Sequence, residues 1–239
     1  MSKILALDSS TDACSVALHI HGETRHLFEL AAKSHTQRLL PMVDEILAQA
    51  QCSLGDLDAI AYGRGPGSFT GLRICMGVVQ GLAFGANFPV LPISTLQAMA
   101  CGYIEQHPQQ RLPVLAALDA RMDEIYWGLF SGDAAPQALA EEQVMKPGLL
   151  GEQIAVAALQ KNFIALGSGW HYPDLAAIAP ETIVLDAYPN AKDIAALAVA
   201  AFARGEQLSV LDAQPVYLRD TVSWQKRQRI RSAPIAGLE

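Results

Sequence analysis

The sequence predicts an α/β fold built from two related halves, and three observations carry that prediction. Residues 5–18, Leu5-Ala-Leu-Asp-Ser-Ser-Thr-Asp-Ala-Cys-Ser-Val-Ala-Leu18, align without gaps on residues 116–129, Ala116-Ala-Leu-Asp-Ala-Arg-Met-Asp-Glu-Ile-Tyr-Trp-Gly-Leu129, so that Asp8 falls on Asp119 and Asp12 on Asp123. In each copy an apolar strand ends at an aspartate, polar turn residues follow and a second apolar strand returns, the pattern of a β-hairpin with a carboxylate at its bend. Asp58-Ala-Ile-Ala-Tyr-Gly-Arg-Gly65 is echoed by Asn162-Phe-Ile-Ala-Leu-Gly-Ser-Gly169, a strand running into a Gly-x-Gly turn at the same place in each half. Finally, a short apolar strand at residues 59–62 leads through a glycine-dense loop into a long apolar helix beginning near Leu72. The expected division is a first half over residues 1–105, a reduced second half over 106–212 and a C-terminal segment over 213–239.

The elements follow in order. His19 and His21 lie on one face of the second strand, but the adjacent Gly22 makes them exposed hairpin residues rather than a metal pair. Ser34-His35-Thr36 forms a cap region before Leu39, Leu40, Met42, Val43, Ile46 and Leu47, which recur at helical spacing. Pro41 suits only the first turns of a helix, so a helix over residues 37–50 is expected to become regular near Leu39.

Next comes Gly63-Arg-Gly-Pro-Gly-Ser-Phe-Thr-Gly-Leu-Arg73, with four glycines in nine residues. Glycines permit positive φ and close backbone approach. Between a strand and a helix, such a loop can turn its N–H groups toward an anion, which makes Gly65, Gly67 and Ser68 candidates for phosphate contact. The competing reading is a tight connection whose glycines only let helix and sheet pack closely. Walker and Rossmann spacings are both absent, and no lysine follows the loop. One helix terminus contributes about 0.3–1 kcal/mol toward an anion, whereas micromolar affinity needs about 8 kcal/mol. Weak nucleotide binding or none is therefore expected, and no cofactor is assigned. The helix over residues 72–86 is apolar around nearly its whole circumference, with Gly77, Gly81 and Gly85 forming a smooth stripe. It is expected to be covered on all sides, by the sheet on one face and a partner helix on another.

Composition agrees with a partnered protein. Of 239 residues, 51% are apolar and only 17% charged, against a usual charged share of about 25%, and mean hydropathy is +0.21. A chain so short of surface charge is expected to cover apolar surface with another protein. Residues 74–93 are broken by Gln80, Asn87, Pro89 and Pro92, a poor membrane span, and the apolar run after Lys3 stops at Asp8, too early for a leader. The expected location is the cytoplasm, with no membrane. Cys14, Cys52, Cys75 and Cys101 are scattered as reduced thiols. The net charge of −7 argues against independent nucleic-acid binding. In the tail, however, Arg219, Lys226, Arg227, Arg229 and Arg231, interleaved with Tyr217 and Trp224, are suited to RNA phosphates and bases. The competing reading of the tail is a solvated end.

Several segments carry a family resemblance. Ile4-Leu-Ala-Leu-Asp-Ser-Ser-Thr11, Ser34-His-Thr-Gln-Arg-Leu-Leu-Pro41, Tyr62-Gly-Arg-Gly-Pro-Gly-Ser-Phe-Thr-Gly-Leu-Arg73, Leu118-Asp-Ala-Arg-Met-Asp-Glu-Ile-Tyr126 and Pro215-Val-Tyr-Leu-Arg219 together resemble the TsaB (YeaZ) family of the bacterial tRNA threonylcarbamoyladenosine pathway, from about Ile4 to Trp224. The resemblance implies an actin-like, Hsp70-like (ASKHA) duplicated ribonuclease-H-like fold. It also implies a non-catalytic role beside TsaD and TsaE, which together transfer threonylcarbamoyl from its adenylate to N6 of the adenosine beside the anticodon, TsaD carrying the chemistry. TsaD has two histidines four residues apart where this chain has Thr95 and Met99. A hydroxyl and a thioether bind such metals weakly, so no metal site is expected.

The expected partner interface comprises Leu39, Leu40, Val43, Ile46 and Leu47 on the first helix and Ile74, Gly77, Val78, Gly81, Leu82 and Gly85 on the second. These would pair with the equivalent helices of TsaD, or with a second copy of this chain when TsaD is absent. Two rivals remain. An ATP-dependent phosphotransferase would place Asp8 and Asp119 beside a nucleotide cleft. A metallopeptidase would need ligands the chain does not offer, since no His-Glu-x-x-His occurs.

Overall fold

A computed structural model describes residues 2–153, 156 and 158–219. The alternation read from the sequence becomes two five-stranded mixed sheets. In the first, β1 (Ile4–Asp8), β2 (Ala13–Ile20), β3 (Glu23–Leu30), β4 (Ala59–Gly65) and β5 (Val90–Ser94) lie in the order β3-β2-β1-β4-β5. In the second, β6 (Val114–Arg121), β7 (Glu124–Phe130), β8 (Gln143–Met145), β9 (Ile164–Leu166) and β10 (Thr182–Val184) lie in the order β10-β9-β6-β7-β8. Numbered within its own half, each sheet therefore reads 3-2-1-4-5, with an antiparallel meander and two parallel strands. The duplication legible in the hairpins thus extends to topology. Within it, Leu5 pairs with Ile60, whereas Ala116 pairs with Leu166, two residues beyond the counterpart of Ile60. An even shift keeps each side chain on its original face, so both cores survive it.

Alternate residues of the central strands serve separate cores, as a period of two requires. Leu5 and Leu7 join Val16, Ile60 and Tyr62 under α1 (His35–Gln49) and α2 (Phe69–Ala86). Ile4 and Ala6 face the opposite way, onto Ile194, Ala195 and Ala198 of α4 (Ala191–Ala203). Between the sheets runs α3 (Thr95–Gln106), whose Leu96, Met99 and Ile104 pack on Val114, Ala116 and Ile164. The far face of the second sheet is closed by Trp127, Phe163, Trp170 and Leu175.

Within residues 106–212, α4 returns to the first sheet and buries Ala191, Ile194, Ala195 and Ala198 there. Small side chains let that helix sit directly on the strands. In addition, α1 starts at His35, not near Leu39, so Pro41 lies inside the helix on its exposed side. Its ring lies on the solvent side and displaces no core side chain, although one i→i−4 hydrogen bond is lost.

Candidate functional site

The glycine loop closes over the end of β1. The Ser68 N–H donates to Ser10 O at 2.7 Å, the Ser9 hydroxyl donates to Gly71 O at 3.0 Å, and Cβ atoms at Gly67 or Gly71 would collide with the Ser10 or Ser9 carbonyl. Gly65 holds φ +102° with the Val216 carbonyl and the Leu72 side chain against it. The Ser68 hydroxyl caps α2 by accepting from Gly71 N–H at 3.3 Å. The phosphate candidates Gly65, Gly67 and Ser68 are thus engaged in close packing, and the Ser68 amide points at Ser10 rather than at open space. The tight-connection reading of the loop describes this geometry.

Asp8, the first-half bend carboxylate, is wholly buried beneath this loop. Its Oδ1 accepts from Ser10 N–H at 3.1 Å and from the Ser10 hydroxyl at 2.9 Å, while Oδ2 has no partner among the described residues. Burial pushes its carboxyl up to about 7, and the two Ser10 hydrogen bonds oppose that rise only in part. The phosphotransferase rival would need Asp8 beside a nucleotide cleft, and the carboxylate is instead sealed from solvent. Its counterpart Asp119 has a different setting, accepting from Tyr172 Oη at 2.9 Å, from Arg121 N–H at 2.8 Å and from Arg121 Nη1 at 3.0 Å. Thr95 is buried, its hydroxyl donating to Pro66 O at 2.5 Å, and Met99 is packed between the sheets. His35 ties the start of α1 to the β1–β2 turn, with Nε2 2.8 Å from Thr11 O, instead of facing outward.

The two first-half helices divide the expected interface set. Leu39, Val43, Ile46 and Leu47 are all buried in this chain's own core, so their expected position in a partner interface is corrected. The apolar stripe of α1 is the face that holds it on the sheet. Leu40 lies on the outer side at 45% exposure. On α2 the outcome is reversed. Leu72, Cys75, Met76, Val79 and Ala83 face inward, leaving Gly77, Gly81 and Gly85 exposed and Ile74, Val78 and Leu82 half-covered. Among the described residues, no atom outside the helix's own adjoining backbone lies within 4 Å of a Cβ built on any of those three glycines. The result is an open apolar groove of about 440 Å³ between α1 and α2, floored by Gly77 and Gly81 and walled by Leu40, Ile74, Val78 and Leu82. The expectation that α2 is covered on all sides does not hold within a single chain.

The sequence reading missed an aromatic and cationic cluster at one end of this groove. Arg73 lies 3.8 Å over the Phe69 ring, Tyr217 is 5.4 Å from Phe69 between ring centroids, and Arg73 Nε donates to Tyr217 Oη at 3.3 Å. Phe69 is 54% exposed and Phe84, at the other end of α2, 71%. Helical spacing of Phe69 and Arg73 could have signalled their contact, whereas nothing local announces Tyr217. That residue arrives on a C-terminal strap in which Val216 N–H donates to Arg64 O at 2.7 Å. Arg219 then reaches the β6–β7 turn, bonding Ala120 O at 3.1 Å and pairing with Glu124. The tail residues Trp224, Lys226, Arg227, Arg229 and Arg231 lie outside the described residues.

Comparison with known proteins gives this arrangement its relatives. Residues 28–223 match the family model described as TsaD: tRNA N6-adenosine threonylcarbamoyltransferase. The tRNA threonylcarbamoyladenosine biosynthesis protein TsaB of Escherichia coli is 43% identical over 94% of this chain and 97% of its own length. That of Haemophilus influenzae is 42% identical over 93% and 96%. YeaZ from Pseudomonas aeruginosa, a solved structure, superposes with a TM-score of 0.83 at 43% identity, covering 91% of this chain and all of its own. With this similarity over nearly its whole length, the chain belongs to the TsaB (YeaZ) family, within the reach of the wider TsaD family model.

Proposed function

We propose that this chain is a non-catalytic scaffold subunit of tRNA threonylcarbamoyladenosine biosynthesis, acting in the cytoplasm by presenting the α1–α2 groove to a related helix pair on TsaD. One observation carries the reading. The glycine stripe of a long apolar helix stands open, with no side chain among the described residues over Gly77, Gly81 or Gly85. Glycine inside a helix costs about 0.5–1 kcal/mol relative to alanine, and close approach of another helix uses the smoothness it provides. The exposed Phe69 and Phe84 and the ring-stacked Arg73 supply side chains of the types that dominate interface energetics. When TsaD is absent, the same groove pairs two copies of this chain. TsaE joins the assembly. Threonylcarbamoyl transfer belongs to TsaD in this reading, with no metal or nucleotide held by this subunit. The phosphotransferase alternative has less support, because Asp8 is sealed under a loop whose Ser68 amide is already used.

The test is threonylcarbamoyl transfer to tRNA in a reconstituted mixture of this chain, TsaD and TsaE, beside mixtures lacking each protein in turn. Omission of this chain should abolish modification, and the chain alone should show no turnover. Unchanged modification in its absence would remove the scaffold reading.

A further inference from the structure

We propose that a second cavity, lined by the later turns of α3 from Met99 to Gln106, binds a small organic ammonium group. It lies between the two halves, occupies about 470 Å³, and is walled by β3, α3, the segment after β10 and the first turn of α4. That size falls within the usual range for small-molecule sites.

Its chemistry is specific. The Asp193 carboxyl forms part of the wall and is pressed so closely on Gly102 of α3 that a Cβ there would collide with it. Asp193 is 5% exposed, and its Oδ1 has no hydrogen-bond partner among the described residues. The Lys192 ammonium stands 3.6 Å from that oxygen but is engaged at 2.6 Å by Glu105 Oε2, so two carboxylates share one cation. Asp186 adds another acid to the same wall. Phe28 and Tyr188, in the same lining, form a tilted aromatic pair, 6.4 Å between centroids. A carboxylate in need of a donor beside aromatic faces matches an alkylammonium, which can donate to the first and lie against the second. A metal ion fits less well, because no group of three His, Cys, Asp or Glu side chains with metal-holding geometry exists among the described residues. Burial pushes the Asp193 carboxyl up to about 7, with Lys192 opposing that rise only in part. A bound ammonium would add a second cation where two carboxylates now share one.

This inference is independent of the scaffold reading. Its test is titration of the full chain with n-butylammonium, 1,4-diaminobutane and the neutral control n-butanol at constant ionic strength, followed by amide chemical shifts and calorimetry. Saturable shifts around residues 100–104 and 186–194 with both amines, and none with butanol, are expected. Asp193→Asn should weaken amine binding at least about tenfold, as loss of a charge-assisted hydrogen bond does. Asp133→Asn, on an exposed loop, should leave it unchanged. If Asp193→Asn fails to fold, Tyr188→Ala and Asp186→Asn take its place, each with an expected loss of several-fold. A further arm uses Nα-acetyl-lysine amide. Tighter binding than diaminobutane assigns the ammonium to a polypeptide side chain, and weaker binding to a free amine. Absence of saturable shifts, equal binding of butanol, or indifference of amine binding to the substitutions overturns the proposal.

Discussion

Replacing Gly77, Gly81 and Gly85 together by alanine should stabilise this chain while weakening its partnership, two effects of opposite sign from one substitution set. All three lie in an α-helix at ordinary negative φ, and a Cβ at each meets nothing within 4 Å among the described residues. The folded chain therefore has room for the methyl groups, and the unfolded chain loses freedom. At about 0.5–1 kcal/mol per site the triple variant should gain about 1.5–3 kcal/mol. For a chain of this size that raises Tm by about 5–10 °C. Melting should be followed at concentrations where sedimentation shows a monomer, so that loss of self-association does not offset the gain. The companion variant Gly81→Phe should leave the monomer's melting nearly unaltered but overpack a close helix contact by about 1–3 kcal/mol. That is a weakening of TsaD binding of about 5- to 150-fold by calorimetry. A lower Tm for the alanine variant would mean that the stripe is not open. Unchanged TsaD affinity for Gly81→Phe would remove α2 from the interface.

Two further predictions concern buried groups. Asp8 has its carboxyl raised from 3.8 to about 7, so the native state holds a proton that the unfolded chain has released. Stability should accordingly fall as pH rises from about 4 to about 7 and then level off. In Asp8→Asn this contribution is absent. Between pH 5 and pH 8 the difference in unfolding free energy should move by about 2–3 kcal/mol in favour of the variant, measured by denaturant titration, and parallel pH profiles would contradict the buried carboxyl. Among the thiols, burial pushes Cys14 and Cys101 up to about 12 and Cys75 well above its usual range. Half-buried Cys52 should be the one thiol that a disulfide reagent modifies readily in the native protein, and rapid reaction of all four would contradict the core packing.

How far the sequence is legible depends on how local the signal is. The hairpin at Asp8 and its copy at Asp119 are written as alternation and turn chemistry within fourteen residues, so both strand pairs and the duplication could be read directly. The 3.6-residue spacing of Leu39, Val43, Ile46 and Leu47 likewise identified one helical face. Periodicity states that a face is apolar, not what covers it, and here it is the chain's own sheet. Helix α4, signalled only by Asn190 and an alanine-rich run, was not read from the sequence, and with it the buried Asp193 escaped.

By itself, then, the sequence determined the α/β class, the repeated halves, the glycine-striped helix and, through its motifs, the family. Each of these is carried by residues close together in the chain or repeated at a fixed spacing. Only the tertiary structure decided that the glycine loop is clasped onto Ser9 and Ser10, that Asp8 is sealed from solvent, and that α4 crosses back to the first sheet. It also decided that α2 turns its glycines outward. Those outcomes depend on which of several apolar surfaces meet, a matter of burial and exclusion between residues as far apart as Ser15 and Ala191, for which no local pattern exists.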